Sequence, residues 1–219
     1  MCRMCSKDWL PAVQAHRKNF KVDKGEPIFR EGETVNGIYF VYSGLFKVHK
    51  QWDSGKELIV RFAREGDIVG HRGLGRDNIF PVSATALENS TICFVETSFF
   101  LSSLKVNTEF LFQLMMFYAT ELKESEKNMR NLAHMPVKGR IAQALVTLYD
   151  KFGNNADGSI DLNISRQDLA SYVGTSYETL FRMMNELIAD GIIKTDEKKV
   201  FIIDHRKLLT YTTIQTSTS

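Results

Sequence analysis

The chain of 219 residues holds only three cysteines, Cys2, Cys5 and Cys93, too few and too scattered for a disulfide framework. Cys2 and Cys5 have Cys-x-x-Cys spacing, but a closed zinc site needs four ligands and a four-iron cluster needs four thiolates, so neither is expected. Long apolar runs are also missing. The longest, Phe110 to Ala119, is broken by Gln113 and falls short of the roughly 20 residues a membrane-spanning helix requires. The opening residues MCRMCSKDWL contain no apolar core of the signal-peptide kind, so a cytoplasmic protein with no membrane partner is expected. Neither sign of charge dominates. The formal net charge is +2, and from Pro136 onward ten Lys and Arg face ten Asp and Glu. There is no Ser/His/Asp arrangement in a nucleophile motif, no phosphate-cradling glycine loop with a lysine and no metal-ligand spacing. An enzyme is therefore not expected, and neither is a metal site.

What is present divides by period. From about Gly25 to Glu96 short strands alternate with glycine-containing turns: Pro27 to Arg30, Gly37 to Tyr42, Leu45 to Lys50, Glu57 to Ala63, Ile68 to Gly70, Val82 to Leu87 and Thr91 to Glu96. This spacing predicts a small all-β barrel or roll, with hairpin turns at Asp53, Ser54 and Gly55 and at Glu65, Gly66 and Asp67. Cys93 falls in an apolar strand and is assigned to the core. From Asn107, read as a cap, to His134 the period becomes helical. Leu111, Met115, Tyr118, Leu122, Ser125, Met129 and Leu132 recur with alternating gaps of four and three, a heptad seam that suits pairing with a second copy better than packing on the chain's own barrel. Glu121, Lys123, Glu124, Glu126 and Lys127 are read as its charged flank. Met135 and Pro136 end this helix. A further amphipathic helix is predicted over Val137 to Phe152.

The segment Ile164 to Gly191 then reads as two short helices around Gly174, which is helix-turn-helix spacing. Leu169, Ala170 and Val173 stripe the first helix; Leu180, Met183, Leu187 and Ile188 stripe the second. Ser165 with Asp168 caps the first, and Thr175 or Ser176 caps the second. Tyr177, Glu178, Phe181, Arg182 and Asn185 are left facing outward. Arginine can donate twice to guanine, glutamate can accept from cytosine, and an aromatic surface can meet the thymine methyl. The same residues also allow an ordinary surface ion pair between Glu178 and Arg182 and a Tyr177–Phe181 stack, and with Thr175 as the cap Glu178 falls in a capping box. Lys138, Arg140, Arg166, Lys198 and Lys199 are the candidate phosphate contacts. Ile192 to Lys194 and Val200 to Ile203, around a turn at Asp196 to Lys199, predict a hairpin wing.

In this order the motifs GEPIFREGE, GIYFVYSG, REGDIVG, SRQDLASYVG, SYETLFRMMNEL and GIIK resemble bacterial transcription regulators of the cyclic-AMP receptor protein and fumarate-nitrate reduction regulator family, from about Phe20 to Asp204. The resemblance implies an α+β fold: an N-terminal, cyclic-nucleotide-binding-like β-roll sensor domain (1–106), a dimerisation helix and hinge (107–135) and a C-terminal winged helix-turn-helix (136–219). It also implies a homodimer on double-stranded DNA, with RNA polymerase as partner. Ser176 matches the family's helix cap, and Glu178 and Arg182 match its base-reading pair, which implies a G·C step in each half-site. Tyr177 and Phe181 depart from the family's arginine and small residue.

The first domain departs further. Cyclic-AMP-binding members hold the ribose with a glutamate and the phosphate with an arginine; the matching positions are His71 and Val82, the latter followed by Ser83. Cyclic AMP in the usual mode is therefore not expected. The iron-sulfur cluster of the oxygen-sensing branch needs more cysteines, and for haem His71 or His16 would stand without a second ligand signal. An unidentified small-molecule effector is assigned to Gly70, His71, Arg72, Val82 and Ser83, with Arg72 and Arg76 able to meet an anion. The DNA-contact set is Arg166, Thr175, Ser176, Tyr177, Glu178, Phe181 and Arg182, and the dimerisation set is Leu111, Met115, Tyr118, Leu122, Met129 and Leu132. The rival reading is a small-molecule-binding β-roll joined to a non-functional DNA-binding domain.

Overall fold

The computed structural model describes residues 7–53 and 55–212. Cys2, Cys5 and Ser54 of the Asp53–Gly55 turn lie outside them. The chain forms two compact units, 1–125 and 126–219, with no helix long and apolar enough to cross a membrane among the described residues.

The first unit begins with α1 (Leu10–His16) and eight strands: β1 (Arg17–Val22), β2 (Pro27–Phe29), β3 (Gly37–Ser43), β4 (Leu45–Asp53), β5 (Lys56–Arg64), β6 (Ile68–Val69), β7 (Ser83–Ala86) and β8 (Ser90–Glu96). They form two antiparallel sheets ordered β1-β8-β3-β6 and β2-β7-β4-β5. Alternation along β3 explains how the layers are held together. Tyr39 and Val41 face the core with Phe46, Val69, Phe80 and Ile92. Ile38 and Phe40 face outward, yet they are buried too, because Phe100 of α2 (Thr97–Val106) and Phe110 and Leu114 of α3 (Thr108–His134) cover them. Phe46, Phe80, Phe100 and Phe110 are essentially inaccessible, and each contributes roughly 1.5–3 kcal/mol by burial.

The predicted strands all form, with ends shifted by up to three residues, the most at β4, which runs on from Lys50 to Asp53. The sequence reading missed α1, β1 and α2. β1, RKNFKV, is an edge strand with four exposed residues, and the charge that protects such an edge also erases the alternating signal. Asn107 is buried between α2 and α3, its side-chain amide donating to the Ser103 carbonyl.

In the second unit α4 spans Val137–Phe152, α5 Arg166–Val173 and α6 Tyr177–Ala189, followed by β9 (Ile193–Asp196), β10 (Lys199–Ile202) and a further short helix, α7 (His205–Thr210). The core joins Ile141 and Leu145 of α4 to Leu169 and Ala170 of α5 and Leu180 and Leu187 of α6. On α6 Leu180 and Leu187 are buried where expected, but the methionine turned inward is Met184 rather than Met183, which is only partly buried. The β9–β10 ladder runs to the Asp196–Lys199 pair, which makes the wing turn tighter than expected, at Glu197 and Lys198.

Candidate functional site

Local chemistry fixes the helix-turn-helix. The Ser165 hydroxyl accepts from the Asp168 amide at 2.9 Å while donating to the Asp168 carboxylate, a reciprocal cap that starts α5. Gly174 ends it at φ 71°, in the left-handed region that only glycine enters without cost. Ser176 caps α6 by accepting from the Thr179 amide at 3.2 Å. That decides between the two candidate caps. Glu178 becomes the second helical residue rather than the third, and no capping-box position falls to it.

Leu180, Met184 and Leu187 turn inward, so Tyr177, Glu178, Phe181, Arg182 and Asn185 are exposed together on the opposite face. Tyr177 and Phe181 stack with ring centroids 6.4 Å apart and planes 16° from parallel. The anticipated Glu178–Arg182 surface pair does not form; among the described residues neither side chain has a hydrogen bond or ion pair. A carboxylate and a guanidinium therefore stand unpartnered on one exposed helix face, beside the stacked Tyr177 and Phe181.

The phosphate candidates fare differently. Arg166 Nη2 donates to the Glu197 and Lys199 carbonyls at 3.1 and 3.3 Å, bracing the wing against α5. Arg140 links the Leu132 and Gly174 carbonyls at 3.0 and 3.2 Å. Lys138 pairs with Glu186 and Asp190 at 3.3 and 3.2 Å, and Lys199 pairs with Asp157. Only Lys198, at the wing tip, is exposed and unpaired among these five. Spacing along the sequence gave no sign of these partners, because all but the Leu132 carbonyl lie 31 residues or more away in the chain.

In the first unit Gly70 adopts φ 87°, and a Cβ there would sit 3.2–3.4 Å from Phe80, Tyr39 and Phe29. That turn drives the His71 ring inward to 3% exposure, edge-on to Phe117 and Tyr118 of α3, and the Tyr118 hydroxyl donates to the His71 carbonyl. Arg72 Nη2 meets Glu121 Oε2 at 2.8 Å, and Arg61 of β5 meets Glu121 Oε1 at 3.3 Å. Burial raises the Glu121 pKa, but Arg61 and then Arg72 bring it below the usual carboxylate range on balance. Burial first, and then Arg61, lowers the His71 pKa to about 3, with Glu121 pulling the other way.

Val82 lies in the roll core, and Ser83 Oγ accepts from the Glu31 amide at 2.9 Å. The residues assigned to one pocket thus divide: His71 and Arg72 converge on α3, while Val82 and Ser83 support the roll. His16 stacks on Phe99 with centroids 4.2 Å apart. Glu121 is corrected from the solvated flank of α3 to a partly buried counter-ion, and Arg61 was missed because its strand reads as apolar on both sides. The resemblance puts the ribose-holding glutamate and the phosphate-holding arginine at the positions of this buried imidazole and core valine; on that expectation millimolar cyclic AMP should leave the melting temperature unchanged. A saturable rise of several degrees in a thermal melt would contradict this.

α3 carries a second apolar face. Leu111, Met115, Leu122, Met129 and Leu132 are all exposed. Tyr118 departs from this set, since its hydroxyl is committed to the roll. Of the two fates weighed for the helix, packing on the roll is seen, through Phe110, Leu114 and Phe117, while the face read as the seam is exposed on another side.

A model of the cyclic nucleotide-binding domain matches residues 19–107, and one of the Crp-like helix-turn-helix domain matches 139–211. The transcriptional activator protein Anr of Pseudomonas aeruginosa is 30% identical over 188 residues, 84% of this chain and 76% of Anr. The anaerobic regulatory protein of Bacillus subtilis is 27% identical over 209 residues, 94% of this chain and 88% of its own. Among solved structures FixK2 from Bradyrhizobium japonicum superposes with a TM-score of 0.81 at 23% identity, covering 90% of this chain and 98% of FixK2.

Proposed function

Because the chain belongs to the Crp/Fnr family of DNA-binding transcription regulators, we propose that it reads an inverted-repeat site as a homodimer, with α6 in the major groove of each half-site. It acts by binding, as a non-enzymatic regulator. The observation that carries this reading is the unpartnered Glu178–Arg182 pair on the exposed face of α6. A free guanidinium can direct two of its N–H donors to guanine O6 and N7. Tyr177 and Phe181 offer an apolar edge suited to a thymine methyl beside it. Lys198 is the wing-tip phosphate contact, while Arg166 acts through the wing it braces, and Ser176 acts by starting the helix, with Thr175 in the turn before it.

Two copies would pair through the open α3 seam, placing their recognition helices about 34 Å apart, one turn of DNA. The partner beyond DNA is RNA polymerase, and the β-roll is the sensor for a small-molecule effector other than cyclic AMP in its usual mode.

Arg182→Ala tests the assignment. It should cost about 1–3 kcal/mol of specific binding and relax the preference at one position in each half-site. Quantitative binding to a set of single-base operator variants separates the two roles: equal loss on every sequence would reduce Arg182 to a phosphate contact.

A further inference from the structure

The buried cluster between β5, the Gly70 turn and α3 has more donors than acceptors. Four of its side-chain nitrogens are fully buried without a hydrogen-bond partner: Arg61 Nε, Arg72 Nε and both ring nitrogens of His71. The nearest ring approach to a carboxylate, His71 Nε2 to Glu121 at 3.9 Å, is too long for a hydrogen bond. Arg61 also donates to the Ile68 carbonyl at 3.1 Å and lies 3.7 Å from Asp67. The one carboxylate in close contact with both guanidiniums is that of Glu121, carried in on α3. Each of its two oxygens takes one arginine, and neither comes within hydrogen-bond distance of the remaining nitrogens. Buried donors of this kind are costly unless an acceptor reaches them.

We propose that Arg61 and Arg72, with the neutral ring of His71, form an oxyanion site for a phosphoryl group, and that Glu121 is its tethered occupant in the unliganded chain. The side chains involved are not those at Val82 and Ser83. A tetrahedral phosphate offers more acceptor oxygens than a carboxylate and can meet the guanidinium forks together with the His71 donor. Binding would exchange Glu121 for the free anion and release α3 from its two arginine contacts with the roll, which links occupancy to the helix. The inference does not rest on how α6 reads DNA.

The full-length protein is titrated with sodium phosphate against sodium chloride of equal ionic strength, following tryptophan fluorescence during thermal melts; Trp9 and Trp52 are its only tryptophans, and both lie in the first unit. A saturable rise is expected with phosphate alone. Glu121→Gln, which removes the competing charge, should bind phosphate roughly tenfold more tightly, and Arg72→Gln should lose the response. A phosphomonoester that binds more tightly than phosphate would mark an ester as the natural source; a response to phosphate alone would mark the free ion. Three results each overturn the proposal: no saturation up to about 10 mM in the wild type, unchanged or weaker binding by Glu121→Gln, or an equal response to acetate. Should Glu121→Gln fail to fold, the wild-type and Arg72→Gln titrations decide alone.

Discussion

Leu122→Asp is expected to convert the protein to a monomer and to remove tight operator binding with it. Leu122 is 61% exposed in the single chain, between Met115 and Met129 on the open face of α3. That is tolerable for a monomer only at the cost of a long apolar strip in water. In a paired seam the two copies of residue 122 would meet or nearly meet across the two-fold axis. An unpaired carboxylate buried there costs more than the roughly 2 kcal/mol of an unpaired neutral polar group per chain, and the two-fold doubles it, which weakens the dimer by roughly a thousandfold or more. The β-roll should remain intact, because Leu122 is not among the α3 residues packed on it. Sedimentation checks this directly. A dimer that survives the substitution would place the interface elsewhere.

The second large effect is on acid stability. His71 is 3% exposed, and burial with Arg61 nearby holds its folded pKa at about 3, against about 6.5 in an unfolded chain. The unfolded state therefore takes up a proton at a higher pH than the folded one. The stability contributed by the neutral ring is complete above pH 6.5 and is lost progressively down to about pH 3. Between pH 6.5 and pH 4.5 the loss should be about 2 kcal/mol. His71→Gln, which does not titrate, should lack that part of the slope. Melts followed by tryptophan fluorescence measure both chains, and parallel acid profiles would show that His71 is not held neutral by its surroundings.

The fold could be read from the sequence wherever its period was strong. The strands from Pro27 to Glu96, the seam of α3, the break at Pro136 and the capped pair α5–α6 each carry a local signal. β1 and α2 do not: one is a charged edge strand, and the other is a short helix in which serine interrupts the stripe. The site divides along the same line. The outward residues of α6 follow from its inward stripe, so Glu178 and Arg182 were visible. The partners of Arg140, Lys138 and Arg166 depend on contacts between distant segments, and so does the burial of Glu121. A charge at a helical flank position looks the same in sequence whether it meets water or two arginines.

The central claim is that two copies of α6 read DNA as a symmetric pair. The most direct measurement is selection of bound duplexes from a random pool by the full-length protein. An inverted repeat should emerge, its arms one helical turn apart, with a G·C pair in each arm that Arg182→Ala no longer selects. Enrichment of an unrepeated single motif, or of no motif, would contradict the account.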